Sequence, residues 1–407
     1  MKIVDVIMSD SFNSSVGPVQ TIRRIKNSSE FFKEQGFLLN VFTKDNFSGA
    51  PKGTPIKKDS KLYDKKRTLF GWLAKHTQIF GKLKFKQTYA HSRWFVKNYI
   101  DLNRRPDVLV FHSLYDCYIY MSEYRIEGVK TCLFVHDDGT GSMTLSYYPK
   151  LIGTDIERKF RKNELFVFNN IDVKACITRL TEKNLLDRAP VLKGKTTLVI
   201  NGISDISDDE KQETAKIRSE NKSPKYRMVQ VGSMNGRKGH REVIEALHRT
   251  RKEMLSDIHV TFVGGGYEKQ TLEELVREYG LESNITFEGV VQNKDVYKYL
   301  AKGNIAILIS ALEGLPLSLI EGMRSGMGII STRVSGIPEI VNEGVNGVLI
   351  NPDIDELVEV FNNLNNYDWD KMGVESRKSF DDYYNFPRMR RDYIHMLQKA
   401  LGKNCKC

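Results

Sequence analysis

Short apolar runs alternate with amphipathic and polar stretches along the whole chain. Runs such as Ile305–Ile309 are apolar at every position, which indicates strands buried on both faces, as in a parallel sheet covered by helices. The predicted strands are Lys2–Met8, Phe37–Thr43, Asp107–His112, Lys130–His136, Asp172–Thr178, Thr196–Ile200, Tyr226–Val231, Ile258–Val263, Asn284–Phe287, Ile305–Ile309, Gly328–Ser331 and Val348–Ile350.

Helical spacing of apolar residues fills the intervals between these strands. The first helix is predicted to open at Gly17-Pro18, with proline in its first turn, and to end before Gly36. In the second half the predicted helices are His240–Lys252, Lys269–Tyr279, Asp295–Ala301, Leu317–Arg324, Ile337–Asn342 and Asp353–Leu364, and an amphipathic helix closes the chain from Pro387 to Leu401.

A polar, charged stretch from Ser204 to Pro224 follows the turn signal Asn201-Gly202, and we interpret it as a domain boundary. The pattern therefore predicts an α/β protein with two Rossmann-like, doubly wound domains, residues 1–204 and 205–386, followed by a helix and tail over residues 387–407. In such sheets ligands bind at the carboxyl ends of the strands.

Composition narrows the class of protein. Of 407 residues, 40% are hydrophobic and 28% charged, which is ordinary for a soluble globular protein. The five cysteines include no C-x-x-C pair, which argues against a zinc site or a disulfide framework. No apolar run approaches the roughly 20 residues that span a bilayer, and residues 1–8 are too short for a signal peptide. We expect a cytoplasmic protein, soluble or peripheral on the inner face of the membrane.

The net charge of +11 is concentrated in one segment. Residues 57–105 hold fourteen Lys and Arg against three Asp, interleaved with aromatic and aliphatic residues. Such a segment suits an anionic membrane surface or an anionic polymer, and it equally suits the solvated face of core helices. Charge alone also permits a nucleic-acid binder, but no base-reading module is recognisable, so we expect no nucleic acid partner.

Two glycine-rich turns follow strands in the second half. In Val231-Gly-Ser-Met-Asn-Gly-Arg-Lys-Gly239 the glycines allow close backbone approach and two cations stand beside exposed N–H groups, an arrangement that suits a diphosphate. The alternative is a βα turn with surface cations. The second turn, Gly264–Gly266, lacks the full G-x-G-x-x-G spacing, and tight βα packing is its alternative. The acidic pairs Asp137-Asp138 and Asp208-Asp209 lack companion ligands, so no metal site is expected.

The stretch Glu313–Glu321 has the most distinctive chemistry. It follows a buried strand, and Pro316 lies near the predicted start of a helix, so the two carboxylates are about two helical turns apart. Free N–H groups at that helix start would face an anion, while carboxylates bind hydroxyl groups. A nucleotide sugar carries both kinds of group.

Five motifs occur in one order over the second domain: Lys238-Gly239, Gly264–Gly266, Phe287-Glu-Gly289, Glu313 to Glu321 and Ser335-Gly-Ile-Pro-Glu339. This order resembles the GT-B glycosyltransferases of family four, retaining enzymes that use nucleotide-diphosphate sugars. The resemblance implies a cleft between the two domains and a last helix that crosses back to the first.

The resemblance also implies roles. Glu313 would bind donor-sugar hydroxyls, Glu321 the ribose hydroxyls and Lys238 the diphosphate, while His136 would stand on the acceptor side and Gly17 would approach the donor. Glu313, His136 and Lys238 are the expected catalytic residues. The expected donor-binding residues are Gly17, Ser233, Arg237, Lys238, Gly264, Gly289, Val290, Val291, Glu313, Gly314, Leu315, Pro316, Leu317, Ser318 and Glu321.

One position departs from the family pattern. Ser233 stands where the family usually has arginine, and we hypothesise that Arg237 supplies the missing cation. The helix dipole with Lys238 can stabilise a leaving diphosphate, so we expect neither a metal nor a cofactor.

These implications predict a retaining hexosyl- or N-acetylhexosaminyltransferase. The donor is expected to be a UDP-sugar and the acceptor a glycan, a lipid-linked glycan or an anionic polymer, in bacterial cell-surface polysaccharide or teichoic acid synthesis. A non-catalytic GT-B partner subunit and a GT-B sugar-nucleotide epimerase are the alternatives.

Overall fold

The computed structural model describes residues 1–12, 17–48, 70–71, 73–141, 145 and 148–403. Contacts divide the chain into two compact units. The first comprises Met1–Ile200 and the residues from Arg390 onwards, and the second comprises Asn201–Met389. The polar stretch that we interpreted as a boundary lies inside the second unit, where Asp208–Glu220 form a helix.

The first unit contains a six-stranded parallel sheet in the order β2-β1-β3-β4-β5-β6. Its strands are β1 (Lys2–Met8), β2 (Phe37–Thr43), β3 (Val108–Phe111), β4 (Lys130–Phe134), β5 (Val173–Cys176) and β6 (Thr196–Leu198). Its helices are α1 (Gly17–Lys26), α2 (Ser29–Glu34), α3 (Gln78–Ile100), α4 (Leu114–Ile119), α5 (Asp155–Asn170) and α6 (Arg179–Arg188).

The second unit contains another six-stranded parallel sheet, in the order β12-β11-β10-β7-β8-β9. Its strands are β7 (Tyr226–Val231), β8 (Ile258–Val263), β9 (Ile285–Gly289), β10 (Ile305–Leu308), β11 (Gly328–Thr332) and β12 (Gly347–Ile350). Its helices are α7 (Asp208–Glu220), α8 (His240–Arg249), α9 (Lys252–Leu255), α10 (Lys269–Glu278), α11 (Val296–Ala301), α12 (Leu317–Arg324), α13 (Ile354–Asn362) and α14 (Trp369–Ser379).

The last helix, α15 (Phe386–Ala400), provides side chains to the core of the first unit. Tyr393 is fully buried, and its ring packs at 5.7 Å from Phe32 and 6.2 Å from Phe134. Burial of three aromatic rings in one cluster is a large apolar contribution. The prediction that this helix crosses back to the first domain is confirmed.

The predicted helix Ile337–Asn342 is wrong, and the helices predicted from Gly17 to before Gly36 and over His240–Lys252 are each interrupted. Residues Ile337–Glu339 form only a single 3₁₀ turn where Ile337–Asn342 was predicted helical. The apolar spacing that suggested a helix is real, because Ile337, Ile340 and Val341 are all buried. However, the main-chain N–H of Asn342 donates to the side chain of Asn346 at 2.7 Å, so the chain turns into the loop before β12 instead of continuing the helix.

The basic segment is described in part. Its portion from residue 57 to 69, with six of its cations, lies outside the described residues, as do Trp72, Cys405 and Cys407. The remainder lies mainly on α3, where Ile79 and Leu83 are exposed and where Lys82 and Lys86 also lie; Lys75 precedes this helix. In the described residues no helix combines the length and apolarity needed to cross a membrane.

Candidate functional site

The loops after β7 and β10 meet at the carboxyl edge of the second sheet, because these two strands are neighbours. The main-chain N–H of Ala311, after β10, donates to the carbonyl of Arg237, after β7, at 2.9 Å. The Arg237 guanidinium also donates to the Leu312 carbonyl at 3.3 Å. Two segments about 75 residues apart in sequence therefore form one surface.

Lys238 and Glu313 are in direct contact on this surface. The Lys238 Nζ donates to Oε1 of Glu313 at 2.5 Å, and the hydroxyl of Ser310 donates to the same oxygen at 2.8 Å. The two charged side chains are only 14% and 7% exposed. A buried, hydrogen-bonded ion pair holds both groups in fixed positions, and the other ammonium protons of Lys238 are available to a further acceptor.

Gly239 makes this approach possible. Its φ is +75°, and a Cβ built there would lie 1.9 Å from the carbonyl oxygen of Ile309, the residue after β10. Only glycine permits both the left-handed backbone and the contact. The glycine therefore brings the start of α8 against β10 and sets the distance between Lys238 and Glu313.

Buried polar side chains support the two loops from below. The amide of Gln230, fully buried in β7, donates to the carbonyl of Lys238 at 2.7 Å. The hydroxyl of Thr332, at the end of β11, donates to the carbonyl of Ser310 at 2.6 Å. The sequence prediction did not include Gln230, Thr332 or Ser310. Their position, as polar residues near the carboxyl ends of buried apolar strands, could have indicated that they support the site.

Helix α12 begins beside Glu313, at the residues predicted. Gly314, Leu315 and Pro316 are buried, and no side chain caps the helix at Pro316. The first N–H groups of a helix lack intrahelical acceptors and attract anions. This helix start thus provides donors to an anion next to the Lys238 ammonium group.

Glu321 lies on the same helix, half-buried, with Arg324 one turn further on. Burial lowers the pKa of the Arg324 guanidinium, and the charge of Glu321 opposes that shift. Arg324 also donates to the carbonyl of Ser204 at 3.1 Å, so its position is fixed. Glu321 is therefore placed one turn into α12, near a positioned cation, and not two full helical turns beyond Glu313, because residues 313–316 are not helical.

The loop after β7 contains Ser233, at the position where the family usually has arginine. Ser233 is exposed, and its hydroxyl accepts a bond of 2.9 Å from the amide of Asn235. Buried His240 adds no charge at neutral pH, because burial and the nearby Lys238 lower its pKa to about 4. Arg237 and Lys238 are thus the cations of this loop.

The second glycine turn packs against the first. Gly264 has a φ of +146°, and a Cβ there would lie 1.9 Å from the carbonyl of Gly232. Its N–H donates to the carbonyl of Gly289 at 2.8 Å. After Gly289, Val290 is 84% exposed and Val291 half-buried. The tight-packing interpretation of this turn is supported, and Val290 presents an apolar surface.

Gly17 and His136 belong to the first unit, so their predicted roles toward a donor stay predictions. Gly17 begins α1 after β1, and His136 follows β4. The His136 ring stacks on Phe134 at 4.4 Å and lies 5.7 Å from that of His112. Burial, with the nearby His136, holds the pKa of His112 well below its usual value.

No group of three or more His, Cys, Asp or Glu among the described residues is arranged to hold a metal ion. The acidic pair Asp137-Asp138, which follows β4, forms hydrogen bonds within its own loop. Asp137 accepts the N–H of Gly139 at 3.1 Å, and Asp138 accepts the N–H and hydroxyl of Thr140 at 3.1 and 2.7 Å. These hydrogen bonds fix the geometry of the turn.

Residues 211–383 match the family model described as "Glycosyl transferases group 1". The chain is also similar to the putative colanic acid biosynthesis glycosyltransferase WcaL of Salmonella typhimurium, with 30% identity over 129 residues, which cover 30% of this chain and 32% of that protein. The matches span from about a fifth to little more than half of the length of the first curated relatives.

Solved structures match over nearly the whole chain. Sucrose-phosphate synthase of Thermosynechococcus elongatus aligns with a TM-score of 0.73 at 17% identity, covering 99% of this chain and 100% of that one. The HepE protein of Anabaena, solved in complex with UDP, aligns with a TM-score of 0.66 at 14% identity, covering 98% and 100%. At these identities the matches establish the fold, which is GT-B.

Proposed function

Since residues 211–383 match the model of the group 1 glycosyltransferases, we propose that the chain transfers a sugar from a nucleotide-diphosphate sugar to an acceptor hydroxyl. The observation that carries this proposal is the contact of Lys238 with Glu313 beside the uncapped start of α12. Together they offer a cation and N–H donors for a diphosphate and a carboxylate for sugar hydroxyls.

The roles within the second unit follow from chemistry. Lys238 and the start of α12 bind the diphosphate, Glu313 accepts hydrogen bonds from the donor sugar and Glu321 from the ribose. Val290 and Val291 lie along the base. We propose UDP as the nucleotide, which is the ligand named for the Anabaena protein. Neither a metal nor a cofactor is required in this proposal.

The reaction retains the anomeric configuration. The acceptor oxygen forms a bond to the anomeric carbon on the face from which the diphosphate departs. The bond from that carbon to the diphosphate oxygen breaks, and the acceptor proton passes to the departing diphosphate. Lys238 and the N–H groups of α12 stabilise the negative charge that develops on the diphosphate. His136 and Gly17 of the first unit are proposed to act at the acceptor side and on the donor.

The acceptor is a glycan, lipid-linked glycan or anionic polymer, as in bacterial cell-surface polysaccharide or teichoic acid synthesis. The WcaL similarity supports a polysaccharide. The exposed Ile79 and Leu83 beside the α3 lysines support peripheral binding to anionic membrane. Flotation with anionic vesicles at low and high salt tests this; no binding at low salt refutes it.

A panel of UDP-, GDP- and ADP-sugars screened by thermal shift tests the donor class. We expect one UDP-sugar to raise the melting temperature, and Glu321→Ala to reduce that shift while Glu282→Ala, on the exposed turn before β9, does not. Incubation with added acceptor then separates transfer from isomerisation of the donor. Isomerised donor without transfer indicates an epimerase; no response of any donor indicates a non-catalytic subunit.

A further inference from the structure

A second pocket lies at the amino-terminal edge of the second sheet, at the opposite end of the strands from Glu313. It encloses about 880 Å³, and its wall includes Tyr226 at the start of β7, Asn304 before β10 and Gly326 before β11. The six residues of β7 separate it from the donor edge by roughly 20 Å. The pocket is therefore distinct from the proposed donor site.

The wall is strongly basic. Five cations line it, Arg218, Lys222, Lys225, Arg227 and Arg377, against the carboxylates of Asp368 and Asp370. Arg377 is neutralised by ion pairs with Asp205 and Asp381, at 2.7 and 2.8 Å. The other four form no ion pair with any carboxylate in the part of the chain that the structure describes.

The turn that carries the two lysines is fixed by Arg227. Its guanidinium donates to the carbonyls of Lys222 and Pro224 at 2.9 and 2.7 Å, and to that of Lys302 at 3.0 Å. Burial and the charge of Arg218 lower the pKa of Arg227, and the charge of Asp370 opposes this shift only in part. The protein thus holds like charges together where an anion would relieve their repulsion.

Arg218 joins the pocket to the helix of the donor site. Its guanidinium donates to the carbonyl of Ser325, just after α12, at 2.5 Å. Arginine has five N–H donors in a planar fork, so this bond leaves others for a planar or tetrahedral oxyanion. Asp370, whose charge acts on Arg218 and Arg227, also lines the pocket and provides an acceptor for hydroxyl groups.

We propose that this pocket binds a phosphate ester of a polyhydroxylated molecule, with the phosphate on Arg218, Lys222 and Lys225 and hydroxyls on Asp370. The volume exceeds what a phosphate ion alone fills and lies in the range of small-molecule sites. A free phosphorylated metabolite and a phosphate unit of an anionic glycan both have this chemistry. The site does not depend on the function proposed above.

Calorimetric titration of the full chain with glycerol 3-phosphate, with an oligomer of glycerol phosphate units and with uncharged glycerol tests the proposal. The same titrations in a Lys238→Ala background, which weakens the proposed diphosphate site, show whether the probes bind elsewhere: binding that this variant retains unchanged is assigned to the pocket. We expect the phosphate probes to bind and glycerol not to bind. An oligomer that binds tenfold more tightly than the monomer assigns the glycan source, and equal affinities assign the metabolite.

The variant Lys222→Ala/Lys225→Ala should weaken binding at least about tenfold, because each charged hydrogen bond is worth about that factor. The matched control Lys216→Ala/Lys371→Ala removes two charges from helices α7 and α14 without altering the wall, and should bind as the parent does. Three results would overturn the proposal. The phosphate probes bind Lys222→Ala/Lys225→Ala as tightly as the parent, both variants lose binding equally, or no phosphate probe binds the parent in low salt.

Discussion

The Nζ of Lys238 lies 2.5 Å from Oε1 of Glu313, although 75 residues separate them in the sequence. Both side chains are nearly buried, and each charge is stabilised by the opposite charge of the other, which offsets the cost of removing it from water. This contact joins the glycine-rich turn after β7 to the segment before α12, and it places a cation and a carboxylate beside one helix start.

Removal of the cation should destabilise the second unit. The Glu313 carboxylate is bonded to Lys238 and to the Ser310 hydroxyl, and in Lys238→Ala only the Ser310 bond is left of these two. Because a buried carboxylate then lacks its cation, we expect the free energy of unfolding to fall by about 3 kcal/mol. Lys269→Ala is the matched control, since its ion pair with Glu273 on α10 is about one-third exposed and should cost less than about 1 kcal/mol. Urea unfolding measures both, and equal losses would contradict the account.

Gly239→Ala should disrupt the same surface through the backbone. The added methyl group meets the Ile309 carbonyl at 1.9 Å, so we expect a loss of about 3 kcal/mol or more. Gly280→Ala is the control, because Gly280 also has a positive φ but nothing lies within 4 Å of its Cβ position, so only about 1 kcal/mol of backbone strain is expected. Similar melting temperatures for the two variants would refute a role for the close approach.

Arg237→Ala should weaken the binding of UDP roughly tenfold if Arg237 replaces the cation missing at Ser233. Its guanidinium already bonds to the Leu312 carbonyl, which directs it toward the Glu313 segment. Arg241→Ala is the control, because Arg241 is the second residue of α8, is exposed and forms only a 3.8 Å ion pair with Glu245. Calorimetry decides: an unchanged affinity in Arg237→Ala rejects the substitution hypothesis.

Asp116 in α4 should make stability depend on pH. Burial raises its pKa to about 7, so between about pH 4 and pH 7 the folded chain holds a proton that the unfolded chain releases. Stability therefore falls as the pH rises through this window, by at most about 4 kcal/mol.

The Asp116 carboxylate accepts a hydrogen bond of 2.9 Å from the N–H of Ser9. Asp116→Asn keeps an oxygen that can accept this bond but removes the titratable carboxyl group. Its melting temperature should fall less than that of the parent protein between pH 5 and pH 8. Exposed Asp101→Asn should behave as the parent does. Parallel curves for Asp116→Asn and the parent would contradict the assignment.

Much of the fold follows from apolar patterning. The bounds predicted for β7, β8 and α12 match the structure, because continuous apolar runs and a proline near a helix start are strong signals. Helix α7 was not predicted since none of its residues is buried, although Ser207 and Glu210 form a capping box that could have indicated it. Prediction of the family and of the GT-B fold is confirmed.

The sequence predicted which residues form the candidate site but not which of them contact one another. The Lys238–Glu313 pair depends on β7 and β10 being neighbours, and strand order is not encoded in local spacing. The supporting residues Gln230 and Thr332 were missed because each acts on a carbonyl that is brought near only by folding. The predicted roles of Gly17 and His136 remain predictions.

We propose above all that this chain transfers a sugar from a UDP-sugar with retention of the anomeric configuration. The most direct measurement is proton NMR of the anomeric signal in a reaction of the full chain with an α-linked UDP-sugar and an acceptor glycan. The account predicts UDP release and an α-linked product, both lost in Glu313→Ala. A β-linked product, or turnover that Glu313→Ala leaves unchanged, would contradict it.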